Sequence, residues 1–453
     1  MKTDARVQSV ELTTEDFHYR TPIRFGGVSL DRVTLLHAAV DIELGDGRVQ
    51  RGTGSMPLGN AWAWPSPTLG YDETLGAMRA VADGVAAYYA GCTVAGHPVE
   101  ITHAMEPHFP AVTETVMMER KLAEPIPPLV ALVAASPIDA ALHDAYAKAL
   151  GLNAFRTLTA EFLRPDLGDL LGPEFAGRRL NEFVRDTPAA TLPVYHLVGA
   201  LDPLTPVDVT NPVGDGLPES LADWVRADGL THLKIKLSGD KPAWDLQRIL
   251  GVNEVAEAAR TGGPWAYSLD FNEKCPDESA LVELLRKLGE KSPAALERVQ
   301  YVEQPTARDL AGHPHQTMHA AAKLKPVVID ESLLDLESLK LAREMGYTGA
   351  AFKACKGQTQ TLLLAAAAQV YGLFRCVQDL TCPGASLVQS AALAAHIPGV
   401  AAIEANARQY VPAANEGWDA RFPGLFTIRN GIMPTGQLTG VGLGATPADH
   451  TGD

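Results

Sequence analysis

The chain reads as an α/β protein, a closed barrel of parallel strands preceded by a separate α+β lobe. Two observations predict the barrel. From about residue 190 onward, short β-rich runs alternate with amphipathic helical stretches, and such alternation with right-handed crossovers builds a parallel sheet. The runs number eight in roughly 215 residues, a count and spacing that close a barrel. An open doubly wound sheet ranks below it, because no glycine-rich fingerprint follows the first strand. A third observation predicts the lobe: residues 1–190 lack this alternation.

The candidate strands are "LPVYHLVGA" (192–200), "HLKIKL" (232–237), "WAYSLDFN" (265–272) and "VQYVEQP" (299–305). They continue with "PVVIDES" (326–332), "GAAFKAC" (349–355), "LFRCVQDL" (373–380) and "VAAIEAN" (400–406). Helical patterns lie between them at 243–260, 278–290, 335–345, 358–371 and 385–396. The first lobe opens with "VTLLHAAVDIELGDG" (33–47) and continues with helical stretches at 73–90, 111–121 and 136–149. The domain expectation is a lobe over 1–190, a barrel over 191–424 and a tail over 425–453. That Gly/Pro/Thr-rich tail has no place in the barrel and returns to the first lobe.

Composition narrows the partners. A formal net charge of -16 argues against a nucleic-acid or anionic-membrane partner. No signal-peptide h-region and no apolar run long enough to span a bilayer is present. Five scattered cysteines without CxxC spacing fit free thiols in a reducing cytoplasm. The expectation is a cytoplasmic protein acting on a small molecule.

Ionisable residues gather at the C-terminal ends of consecutive strands, where a barrel of this kind places its active site. The second strand carries Lys234 and Lys236, the third Asp270, the fourth Glu303, the fifth Asp330 and the sixth Lys353. Three acids on adjacent buried strands repel unless a cation lies between them, and hard oxygen ligands suit Mg²⁺, with Mn²⁺ as an alternative. Lys236 and Lys353 fall on opposite sides of an eight-strand ring, so a substrate between them has one amine over each face. Burial and a neighbouring cation both lower a lysine pKa. Lys234 is therefore expected to keep Lys236 neutral and basic, the other reading being a salt bridge to a carboxylate. Lys356 reads as a solvated loop residue, His313 and His315 likewise, and His196 as a satisfied core histidine. Arg408 reads either as a surface arginine or as facing a second anionic group.

Taken together, "LKIK", "LDFN", "YVEQP", "IDES" and "FKACKGQ" at β/α spacing resemble the enolase superfamily. More narrowly, they resemble the muconate lactonizing and dipeptide epimerase-like branch of its mandelate racemase-like proteins. "SPIDAALHDAYAKALG" (136–151) is similar to the family's segment just before the barrel, and "TPIRFGG" (21–27) to its specificity loop. The resemblance implies a modified TIM barrel, (β/α)7β, under an α+β capping domain built from the N-terminal lobe and the C-terminal tail. It implies Mg²⁺ on Asp270, Glu303 and Asp330, and removal of the proton α to a carboxylate to give a stabilised enediolate. It also implies assembly as a homo-oligomer. Asn272, Glu331, Asp379, Glu404 and Asn406 are the expected second-layer or substrate residues. Relatives that epimerise dipeptides carry DxD on the last strand, where this chain has Glu404 and Asn406, which puts a dipeptide substrate in doubt. Many relatives have Glu where the seventh strand carries Asp379.

Racemisation or epimerisation of a small carboxylic acid is favoured, on the symmetry of the two lysines. A dehydratase acting on a hydroxy-acid such as a sugar acid, or a cycloisomerase, uses the same parts. From other classes, a Schiff-base aldolase or a non-catalytic binding protein also has to be weighed. "GNAWAWPSP" (59–67) offers Trp62 and Trp64 either as a cover for the ligand or as core of the lobe.

Overall fold

The computed structural model of the chain describes residues 2–25 and 28–444. The chain opens with an antiparallel sheet in the order β1 (Ala5–Phe25), β2 (Val28–Leu44) and β3 (Val49–Pro57). Along β2, Leu36, Ala38, Val40, Ile42 and Leu44 are all buried, the period-two pattern of a strand with one face on a core. That face receives the helix Pro128–Leu150, which is buried almost all round. Contact is close because β3 carries Gly52 and Gly54: a Cβ on either would stand 2.2 Å from the Ala141 carbonyl oxygen or 2.1 Å from that of Pro137. Pro137 itself lies inside the helix and removes one N–H. The Ser136 hydroxyl donates to the Val133 carbonyl left without it, at 2.8 Å. The helices Tyr71–Ala90 and Phe109–Arg120 complete the lobe.

Each of the eight predicted runs forms a strand: β4 (Leu192–Val198), β5 (His232–Lys236), β6 (Ala266–Asp270), β7 (Val299–Glu303), β8 (Val327–Ile329), β9 (Gly349–Lys353), β10 (Phe374–Gln378) and β11 (Val400–Glu404). They pair in parallel in sequence order, and β11 closes on β4 through Ile403↔Val194 and Glu404↔Tyr195. Helices Leu221–Asp228, Pro242–Ala259, Glu278–Lys291, Leu336–Glu344, Gln358–Val370 and Gly384–His396 cross between strands.

Two expectations need correction. The alternation is not strict: the crossover from β7 to β8 carries only a short 3₁₀ turn, Ala321–Lys323. Pro305, Gly312, Pro314 and Pro326 punctuate that stretch, and such residues break helices. The tail also has a place on the barrel, since β12 (Ile432–Met433) pairs antiparallel with the start of β4. Further on, the tail reaches the first lobe: Leu443 N–H donates to Asp144 at 3.0 Å. Residues 445–453 of the tail, and Gly26 and Gly27 of the expected specificity loop, lie outside the described residues.

Strand parity builds the barrel interior in layers. Tyr195, Tyr301, Val328, Ala351, Cys376 and Ala402 form a buried apolar floor. Two residues further along the same strands come Leu197, Glu303, Asp330, Lys353, Gln378 and Glu404, so side-chain alternation alone stacks a charged layer on that floor. No helix among the described residues is long and apolar enough to cross a membrane.

Two outcomes follow from this packing. Gly54→Val forces a side chain into the Pro137 backbone and is expected to destabilise the fold by about 1–3 kcal/mol or more, read as a lower midpoint in urea unfolding. Glu106, at the turn after the helix Pro98–Met105, is pushed from 4.5 up to about 8 by burial and by the charges of Asp139 and Asp335. A carboxyl so raised favours the folded state while protonated, and that contribution is lost as pH rises from its unfolded value through about 8. Glu106→Gln is therefore expected to melt above the wild type at about pH 9 and level with it at about pH 4. Thermal unfolding across pH checks the crossover.

Candidate active site

The pairing register sets the charged layer. Lys236 lies opposite Asp270 across β5–β6, and Asp270 opposite Glu303 across β6–β7. Lys234 sits one layer lower, opposite Ser268, so its long side chain rises from beneath. The two lysines of the KxK thus share a face but not a level. Lys234 Nζ donates to Glu303 Oε1 at 2.8 Å and Glu404 Oε2 at 3.2 Å, and lies 3.3 Å from Asp270 Oδ2. Lys236 Nζ donates to Asp270 Oδ2 and, at 3.2 Å, to Asn272 Oδ1. On the far side Lys353 Nζ lies 2.9 Å from Asp330 Oδ2.

This geometry corrects two readings. Lys356 is not solvated: it is 3% exposed and donates to the Asp330 backbone carbonyl and to Asp330 Oδ1. The helical turn Ala354–Lys356 after β9 brings it back over the strand end. Lys234 is not a free charge pressing on Lys236. Burial opposes its ammonium, but Glu303, Glu404 and Asp270 outweigh burial and hold its pKa well above the ordinary value. Its positive charge is answered locally by three acids.

The same balance runs through the cluster. Burial raises a carboxyl pKa, yet Lys236 and Lys234 overcome it at Asp270 and depress that group. Lys353 and Lys356 do the same at Asp330, to about 2. Burial also opposes the Lys353 ammonium, and Asp330 more than offsets it. Glu303 goes the other way: burial and the charge of Asp270 raise it despite Lys234. Glu331 and Asp379 both rise to about 7, through burial and then through Asp330 and Glu404 respectively.

The remaining expected residues form a network around the centre. Asn272 Nδ2 donates to the Leu237 carbonyl while its oxygen faces Lys236. Asp379 accepts from the Asn406 N–H and Nδ2 and from the Cys382 N–H. Asn406 Nδ2 donates to Glu404 as well. Asn272, Gln304 and Thr381, just past the ends of β6, β7 and β10, hold positive φ of 49°, 31° and 58°, conformations that a surrounding structure must enforce.

Two contributors, Gln378 and Arg308, are not singled out by the sequence. Gln378 on β10 donates to Glu303 Oε2; a glutamine inside a strand gave no signal of its own. Arg308, in the crossover after β7, clamps Glu273 through two nitrogens and donates to the Trp62 carbonyl at 3.1 Å. The lobe supplies Trp62, whose indole N–H donates to Glu331 Oε1 at 2.9 Å. Trp64 instead packs in the lobe and donates to Glu124 at 2.9 Å. Arg408 is neither at the surface nor facing the centre. It is 7% exposed, pairs with Asp228, donates to His196 Nδ1 at 2.7 Å and stacks on Trp224. His196 is the satisfied core histidine expected, and His315 is exposed. A cleft of about 360 Å³ between the lobe and the strand ends reaches Trp62, Asn272, Arg308 and Glu331.

As the side chains stand, lysine ammoniums face the three central acids, and among the described residues no group of three acid, histidine or cysteine side chains is arranged to hold a metal ion. The donor set nonetheless fits a divalent cation. Buried Asp270, Glu303, Asp330, Glu331, Asp379 and Glu404 lie among buried Lys234, Lys353 and Lys356 and the largely buried Lys236, with Arg308 also acting on Glu331. Six acids against four lysines leave carboxylate oxygens in excess at the strand ends, and Glu331 Oε2 has no hydrogen-bond partner among the described residues. All-oxygen donors on rigid strand ends are the chemistry Mg²⁺ takes.

Comparison with known proteins bears on the fold and family. The chain resembles the dipeptide epimerase of Enterococcus faecalis V583, solved with Mg and L-Leu-L-Tyr, at 15% identity and a TM-score of 0.58, covering 97% of this chain and 99% of that one. It resembles the muconate lactonizing enzyme of Pseudomonas fluorescens at 17% and 0.59, covering 97% and 96%. An enolase from Pseudomonas fluorescens Pf0-1, with bound magnesium, potassium and tartrate, matches at 16% and 0.61, covering 97% and 89%. No curated protein sequence matches the chain. The family model described as enolase C-terminal domain-like matches residues 216–451, more than half of the chain. With its capped, closed barrel, the chain thus belongs to the enolase superfamily, in the mandelate racemase and muconate lactonizing enzyme branch.

Proposed function

We propose that this chain removes the proton α to the carboxylate of a small acid and returns it to the opposite face, as a racemase or epimerase. The observation that carries the reading is the placement of Lys236 and Lys353. They stand on β5 and β9, half a barrel apart, with Asp270, Glu303 and Asp330 on the three strands between. Two amines on opposite sides of a substrate site are what inversion at carbon requires.

Asp270, Glu303 and Asp330 would hold Mg²⁺. Bound there, the ion supplies charge that offsets the negative charge growing on the substrate carboxylate as the proton leaves. The protein's own groups do the rest. One lysine, as the neutral amine, takes the α-proton at Nζ; the other, as ammonium, delivers one. Asn272 orients Lys236, and Asp330 orients Lys353. Lys234 is the fixed counter-ion that keeps Glu303 and Glu404 together in the barrel. The lobe packs over part of the strand ends through Trp62 and leaves a cleft beside Asn272 and Glu331 for the substrate.

The last strand limits the substrate. Glu404 is engaged by Lys234, and Asn406 by Asp379 and Glu404. No free acid remains there to bind a substrate ammonium, so the reading favours a hydroxy-acid or N-acylated amino acid over a free dipeptide.

The test is proton exchange. Panels of hydroxy-acids and N-acyl amino acids, incubated with the chain and Mg²⁺ in D₂O, are followed by ¹H NMR. The expected outcome is loss of an α-proton signal with scrambling at that carbon and no loss of water. A 2-keto product would point to dehydration instead, and activity that survives EDTA would sink the metal assignment.

Lys236→Ala and Lys353→Ala are each expected to cut exchange of one enantiomer by about 10²–10⁴-fold while the opposite enantiomer still exchanges. Equal loss from both faces would refute the two-base scheme. Lys234→Met leaves Glu303 and Glu404 buried without their cation and is expected to destabilise the fold by about 3–5 kcal/mol. Chemical denaturation measures it, and an unchanged midpoint would show that the acids find another partner.

A further inference from the structure

Trp62 belongs to the lobe, yet its polar groups and one ring face engage the barrel. It sits on the short helix Asn60–Ala63 and is 8% exposed. Its indole N–H is spent on Glu331, beyond β8, and its carbonyl on Arg308, which is itself locked to Glu273 beyond β6. The face of its ring lies against Lys353, with Nζ 4.3 Å from the ring centroid, and Lys356 Nζ stands 5.7 Å away. Both distances fall within cation–π range.

A lysine side chain is a flexible four-carbon stem ending in a point charge. Asp330 pairs with the Lys353 ammonium at 2.9 Å from the barrel side. The indole supplies a second, broad contact from the lobe side. It also takes the space through which water would reach the amine from the cleft that Trp62 itself lines.

We infer that Trp62 is a positioning residue for Lys353: its ring confines and screens that amine, so the lobe governs proton transfer at one face of the substrate. The inference rests on the reading of Lys353 as one of the two proton-transfer groups.

Two measurements test it, on the wild type, Trp62→Leu and Trp62→Phe, all with Mg²⁺ in excess. The first uses formaldehyde and cyanoborohydride as the probe, with methylation at each lysine read by peptide mass spectrometry. Removal of the ring is expected to raise the labelling rate at Lys353 about tenfold relative to Lys236, while Trp62→Phe, which keeps a ring face, stays within about threefold of the wild type. No rise, or an equal rise at both lysines, would overturn the inference, because a general loosening exposes both. The ratio is internal to each sample, and Trp62→Phe controls for a general loosening.

The second measurement uses an enantiomeric pair of acids that the wild type exchanges in D₂O. Trp62→Leu is expected to slow exchange of the enantiomer served by Lys353 about tenfold and to leave the other within about twofold, with Trp62→Phe restoring the ratio. Parallel loss from both enantiomers would reduce Trp62 to a structural role and end the inference. If instead Lys236→Ala and Lys353→Ala show no preference between enantiomers, the two-base reading fails. The labelling ratio still decides whether the ring covers Lys353.

Discussion

Ten ionisable side chains crowd the C-terminal end of one barrel, and the need to balance their charge in a dry interior organises what surrounds them. A carboxylate or ammonium taken out of water loses several kcal/mol of solvation and recovers it only through close, well-placed partners. The barrel supplies partners by parity. Every second residue of a strand points inward, so acids and lysines on neighbouring strands meet at one level above an apolar floor. Lys234 shows how fine the placement is. Raised from the layer below, it reaches Glu303 and Glu404 together, which a lysine on the same level as Lys236 would do only by crowding it.

The lobe takes part in the same balance. Besides Trp62, it contributes Asp139 from the helix Pro128–Leu150. Asp139 accepts from the backbone N–H and the hydroxyl of Thr359, both at 2.8 Å. Thr359 opens the helix Gln358–Val370, whose N-cap residue, Gly357, has no side chain to cap it. A negative charge at a helix N-terminus satisfies free N–H groups and opposes the helix dipole. The helix so anchored follows directly on Lys353 and Lys356. The lobe therefore braces, through Asp139, the segment whose lysine it touches through Trp62.

The fold was largely legible because its signals are local. Each strand announces itself as a β-rich run, most with a helical stretch behind them, and eight such runs leave few architectures. Asp270, Glu303, Asp330, Lys236 and Lys353 were legible for the same reason: charge inside a buried strand needs an explanation, and strand spacing brings those five together. Lys356 was misread because one 3₁₀ turn separates a solvated loop lysine from a buried one, and three residues of sequence do not reveal the turn. Of the two readings of Lys234, the salt bridge holds: proximity in sequence points to Lys236 as its electrostatic neighbour, whereas its charge is answered in part by Glu404 from a strand 170 residues away. Gln378 and Arg308 act through contacts across the lobe–barrel boundary or the barrel interior, and residue type alone does not mark them; Trp62 stands out by type, but not its partners Glu331 and Lys353.

The charge balance also bears on what the site can accept. On the β10 and β11 side, Asp379, Glu404 and Asn406 bond to one another and to Lys234. A substrate ammonium bound there would have to break these contacts. It would compete with a lysine already desolvated and fixed, which gives the resident charge the advantage. On the β6 and β8 side, by contrast, Glu331 and Asn272 border an open cleft, and Glu331 is poised near neutrality by burial and by Asp330. That wall also carries Lys274 and Arg308, so its charges are mixed. The same electrostatics that assemble the lysines and acids therefore leave the β10–β11 wall satisfied from within and the β6–β8 wall open to the cleft.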